Sequence, residues 1–171
     1  AAFSDPVAMT AATTASSRRS QKVSERSSGA QAQRLRLDAA QAYLDGGDRA
    51  AARRMLAGLA DEGGAPANLA APATATLVRL LVEEGKFDEA EQRLLAAKGK
   101  LSAEDSADLT RRVALGWARS GKLDRADRMV AGDSSVNGLA LRGELKLLHG
   151  EVGAARDLLQ QAGPYAGSRE D

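Results

Sequence analysis

Residues 82–97, VEEGKFDEAEQRLLAA, hold the feature that most limits how this chain can fold. A helix tail runs into Gly85, a residue able to take the left-handed conformation that closes a helix. Phe87, Ala90, Leu94 and Ala97 then recur at offsets 0, 3, 7 and 10, one apolar stripe at helical spacing. The stretch is the turn and second arm of a helical hairpin.

The same design returns along the chain. Gly47, Gly85, Gly121 and Gly150 are each followed five residues later by Ala: Ala52, Ala90, Ala126 and Ala155. Two residues after the glycine stand Phe87, Leu123 and Val152, with Arg49 as the exception. Seven before it stand Ala40, Val78, Ala114 and Gly143, mostly small; four before it stand Tyr43, Leu81, Trp117 and Lys146, mostly large. The glycines are spaced 38, 36 and 29 residues apart. Composition agrees with helices packed closely: 43% of the residues are hydrophobic, only 3% are aromatic, and no run alternates strictly enough for a strand.

In chain order, residues 1–30 read as a leader or linker rich in Ala, Ser, Thr and Arg, with few apolar groups to bury. Helices are expected over 34–45, 48–60, 73–84, 87–97, 109–120, 122–131, 139–149 and 151–162. A Gly- and Pro-rich loop is expected over 61–72, and the helix over 122–131 is barely more than two turns. Ser102 with Asp105 forms a capping pair that marks a helix start. Ser168 with Asp171 has the same form, so residues 165–171 are expected to open a further helix. The chain begins with Ala, which points to a processed, internal or recombinant start.

The G-x-x-x-x-A turn, with a small residue seven positions before the glycine and a large one four before it, resembles the tetratricopeptide repeat, a helix–turn–helix of about 34 residues. The resemblance covers residues 33–164 and implies an all-α fold, an α-solenoid of about four stacked, divergent repeats. Arg49 and Lys146 depart from the pattern, and the short third spacing points to an irregularity around 133–138. In this family the first helix of each pair lines a groove that binds a peptide or helix of a partner protein. Carried over residue by residue, the groove would show Leu37, Gln41 and Leu44, then Ala75, Arg79 and Val82, then Arg111, Leu115 and Ala118, then Ala140, Glu144 and Leu147. Arg79 and Arg111 would be its polar anchors. The carboxylate clamp best known in the family does not carry over, because Leu37 and Gln41 stand where it needs Lys and Asn.

Catalytic chemistry finds little footing. Cys is absent, and His149 is the only histidine, one residue before a turn glycine, where a helix-end role is the plain reading. Neither a zinc constellation nor a phosphate loop is present, so no metal or cofactor is expected and the chain reads as a non-enzymatic protein-interaction scaffold. The acidic pairs Asp61-Glu62 and Glu83-Glu84 lie beside turns as solvated charge. With 24 basic and 23 acidic residues, a dedicated nucleic-acid binder is disfavoured. The cluster Arg18, Arg19, Lys22 and Arg26 keeps nucleic-acid contact as an alternative, beside that of a docking or regulatory domain of a larger enzyme. No apolar run spans a bilayer, and a soluble chain fits cytoplasm and periplasm equally. Arg-, Ala- and Gly-rich composition points to a bacterial source, where such repeats also occur in envelope and export assemblies.

If the recurring alanines set helix–helix distance, a large side chain at Ala90 or Ala126 overpacks the pair. Ala90→Leu and Ala126→Leu should each cost about 1–3 kcal/mol in a denaturant titration.

Overall fold

The computed structural model describes residues 29–61 and 66–163, and among these the protein is all-α: eight helices and no strand. They are α1 (29–45), α2 (Arg49–Asp61), α3 (Ala67–Glu83), α4 (Phe87–Ala96), α5 (Ala103–Arg119), α6 (Leu123–Val130), α7 (Val136–Leu148) and α8 (Val152–Ala162). Of the expected leader over 1–30, residues 1–28 lie outside the described residues, as does the expected helix start at Ser168, while 29 and 30 already belong to α1. The chain divides into two compact units, Ala1–Ala70 and Ala71–Asp171.

Each turn glycine takes a positive φ: 82° at Gly47, 73° at Gly85, 81° at Gly121 and 79° at Gly150. Around each, the same two hydrogen bonds close the preceding helix. At Gly85 they run from its own N–H to the Val82 carbonyl (3.1 Å) and from the Lys86 N–H to the Leu81 carbonyl (2.8 Å). Asp48, Lys122 and Glu151 donate in the same way to Tyr43, Trp117 and Lys146. This is the Schellman closure, which only a residue free to enter the left-handed region makes without strain. The residue after the glycine then starts the next helix: the carbonyls of Asp48, Lys86, Lys122 and Glu151 accept from Ala52, Ala90, Ala126 and Ala155. Lys86, Lys122 and Glu151 share nearly one backbone conformation, φ −84 to −94° and ψ 60 to 62°.

Such a turn leaves no slack, so the second helix doubles back tightly on the first. Ala52, Ala90, Ala126 and Ala155 are all completely buried, as are Ala40, Val78 and Ala114 seven residues before their glycines. Gly143 completes that set; a Cβ on it would stand 2.7 Å from Leu159 Cγ on α8. Within the second unit α5 packs on α6 and α7 on α8, while α4 also meets α5, α6 meets α7, and α5 touches α7.

Successive pairs are joined in one register. At the α4–α5 junction the Phe87 ring occupies the space a Cβ on Gly116 would need. It also packs on Trp117 at 5.4 Å between centroids. The Trp117 indole N–H donates to Glu91 (3.0 Å), which also takes Arg125. At the α6–α7 junction Lys146 donates to Asp127 (3.0 Å). Lys146, the apparent misfit of the repeated pattern, therefore makes the contact to Asp127 that Trp117 makes to Glu91.

Besides α1, which begins at 29 and not at 34, two helices start earlier than the residue pattern suggests. α3 begins at Ala67, inside the expected loop, and contains Pro72. Proline there removes one N–H that would have met the Asn68 carbonyl, while Leu69 and Ala73 are buried and hold the extra turn in place. α7 begins at Val136 because the Ser135 hydroxyl accepts from the Gly138 N–H (3.1 Å), a cap hidden in the run GDSSVNG. The Ser102 cap on α5 matches expectation, its hydroxyl accepting from the Asp105 N–H at 3.0 Å. α6 is as short as expected, eight residues.

Two helical glycines should respond oppositely to alanine. Gly58 in α2 has open space around it, so Gly58→Ala should stabilise by about 0.5–1 kcal/mol. Gly116→Ala should destabilise by about 1–3 kcal/mol despite the better helix former, because the Phe87 ring must be displaced. Chemical denaturation followed by circular dichroism reads both signs.

Candidate functional site

Three of the expected groove residues come together between α3 and α5. Arg79 and Val82 on α3, with Glu83 beside them, face Arg112, Leu115 and Arg119 on α5 across a groove of about 410 Å³. Phe87, the first residue of α4, lies at the floor next to Gly116. The absent Cβ of Gly116 is what lets the ring in, so the glycine shapes the groove as well as the junction.

On α5 the lining stripe is Arg112, Leu115 and Arg119, at offsets 0, 3 and 7, with Asp108 a further turn back. Asp108 orients two of the arginines: Arg112 Nε donates to its Oδ2 at 2.8 Å, and Arg79 Nη2 lies 4.0 Å from the same oxygen. Arg79 and Arg112 are 44% and 52% exposed, so both keep donors toward solvent. Planar guanidinium groups beside apolar side chains suit a segment that carries carboxylates among apolar residues.

Arg111 does not line this groove. Its Nη1 donates to Asp133 Oδ2 at 2.9 Å, and both side chains are only 17% exposed. The neighbouring Arg112 lines it instead, while Leu115 lies in the groove as expected. α6 is short. With that helix ending at Val130, Asp133 falls in the connection to α7, where it also accepts from the Ser135 N–H (3.0 Å) and hydroxyl (2.6 Å). Its carboxylate occupies the space above Gly138 that any Cβ there would need. Burial pushes the Asp133 pKa up, but the Ser135 hydroxyl and N–H and the Arg111 guanidinium outweigh it, leaving the group below its usual 3.8.

The other expected groove residues lie elsewhere. Leu37, Gln41 and Leu44 share a face of α1 in the first unit, where Gln41 donates to Asp45 at 2.9 Å. Glu144 is exposed on α7, and Leu147 borders a separate apolar cavity with Val152 and Leu159. Ala75 is 6% exposed and belongs to the core. Arg112 and Arg119 are not among the residues that the resemblance places in a groove, although Asp108, Arg112, Leu115 and Arg119 form a stripe at offsets 0, 4, 7 and 11.

Among the described residues no group of three or more His, Asp or Glu side chains could hold a metal, and no helix is long and apolar enough to cross a membrane. His149 is the C-cap residue of α7, its Nε2 3.6 Å from Asp127. Glu84 is engaged by Lys86.

Because the folded-state pKa of Asp133 is depressed, its contribution to stability is complete above 3.8 and is lost as pH falls through the lower folded value. Asp133→Asn should therefore cost about 1–2 kcal/mol at pH 7. Urea titrations across pH should show the gap to wild type closing below 3.8. No protein-family model matches this chain, and no curated protein matches it.

Proposed function

We propose that this chain is a non-enzymatic protein-interaction module, an α-solenoid of divergent tetratricopeptide-type repeats that binds an acidic, amphipathic segment of a partner protein. The α3–α5 groove carries the proposal: Arg79, Arg112 and Arg119 stand around Val82 and Leu115 on the facing sides of two first helices. Support for the repeat reading comes from the four turns of one geometry and from the two junctions in one register. Apolar side chains supply contact area, and the guanidinium groups choose the sign of the ligand.

The test uses fluorescence anisotropy with helical peptides that carry Glu, or Lys in its place, around Leu and Phe anchors. Wild type should prefer the acidic peptide, with affinity that falls as salt rises. An Arg79→Glu, Arg119→Glu double variant should lose roughly tenfold or more in affinity, as expected for two charged contacts, with helicity unchanged. Equal binding of both peptides, or an unaffected double variant, would refute the groove.

A further inference from the structure

The two junctions inside the second unit obey one rule of contact. The residue six positions after a turn glycine bonds the residue four positions before the next one: Glu91 takes Trp117, and Asp127 takes Lys146. In both, the earlier pair supplies a carboxylate and the incoming first helix supplies an N–H donor. Two positions after the glycine, Phe87 and Leu123 are each partly covered.

The α7–α8 pair presents the same positions uncovered. Val152 stands two after Gly150 and is 66% exposed, against Phe87 and Leu123 in the earlier pairs. Leu147 beside it is 48% exposed. Val152, Arg156 and Leu159, at offsets 0, 4 and 7 on α8, line with Leu147 a largely apolar cavity of about 660 Å³. An apolar patch in that arrangement marks an interaction surface. Six after Gly150, where Glu91 and Asp127 stand in their pairs, this pair has Arg156. Arg156 is 72% exposed, and its nearest carboxylate, the adjacent Asp157, is 3.9 Å away.

We propose that this face of α7–α8 docks an α-helix of a partner polypeptide, with the polarity of the junction reversed. The incoming helix carries Asp or Glu where α5 and α7 carry Trp117 and Lys146, and that carboxylate accepts from Arg156. Its apolar residues cover Val152, Leu147 and Leu159. A helix with Lys or Trp at that position would meet Arg156 donor against donor, so α8 rejects the kind of helix that α4 and α6 accept. This surface is separate from the arginine groove of α3 and α5 and does not depend on it.

Tethering supplies the helix at high effective concentration. Residues 135–148 are appended to the full chain through a flexible Gly/Ser linker, either as they stand or with Lys146→Glu in the appended copy alone. Native-state hydrogen exchange of α8 amides is then read in the wild-type body and in an Arg156→Glu body. In the wild-type body the Glu-bearing helix should slow α8 exchange roughly tenfold more than the Lys-bearing one, the worth of one charged hydrogen bond. In the Arg156→Glu body the order should invert. No protection from either helix, or the same order in both bodies, would overturn the proposal. So would α8 protection in the untethered chain that grows with protein concentration, since the occupant would then be a second copy.

Discussion

The N–H of the residue after each left-handed glycine reaches back to close one helix, and the carbonyl of that same residue opens the next. Asp48, Lys86, Lys122 and Glu151 each do both. A single residue with two backbone duties fixes the direction in which the second helix leaves, because no torsion between the two bonds is free. From this follow the other constraints. The second helix returns at close range, so the position five after the glycine must be Ala, and the one seven before it must be small or branched at Cβ only. Side-chain caps are dispensable in such a turn: Lys86, Lys122 and Glu151 make none. Asp48 alone among the four adds one, accepting from the Ala51 N–H at 2.9 Å.

Between pairs the chemistry is less uniform than the geometry. At the α4–α5 junction an aromatic pair is framed by cations, with Lys122 Nζ 4.6 Å and the Arg125 guanidinium 4.1 Å from the Trp117 ring. Arg125 is held there by Asp88 and Glu91 at 2.9 Å. At the α6–α7 junction no aromatic is present; Lys146 lies between Asp127 and Glu151, and both carboxylates raise its pKa. Cation–π contact and indole burial in one place, and ion pairing in the other, serve the same spatial requirement. The position is conserved in role, not in residue type, which is why a consensus view treats Lys146 as a defect.

That difference explains what could be read from the residues alone. Features decided by backbone closure and close approach were legible: the four turns, the buried alanines, the Ser102 cap and the short α6. Features decided by competition between local and tertiary terms were not. Pro72 argues for a loop on propensity, yet the burial of Leu69 and Ala73 carries α3 back to Ala67. Ser135 sits among Gly, Asp and Asn residues that all suit a turn, and only its bond to Gly138 shows where α7 begins. Arg111 and Arg112 are adjacent and chemically identical. Arg111 is engaged by Asp133, a residue 22 positions away that no periodicity connects to α5.

The Arg111–Asp133 pair also shows how framework and surface are kept apart in this chain. The connection that follows the short α6 is polar. The Arg111 guanidinium and the Ser135 hydroxyl and N–H satisfy Asp133, so the connection is held by charge and hydrogen bonds in place of burial. Arg111 is engaged there, while Arg112, Leu115 and Arg119 of the same helix face α3. The same α5 turn sets Gly116 under Phe87, which ties the floor of the groove to the α4–α5 junction.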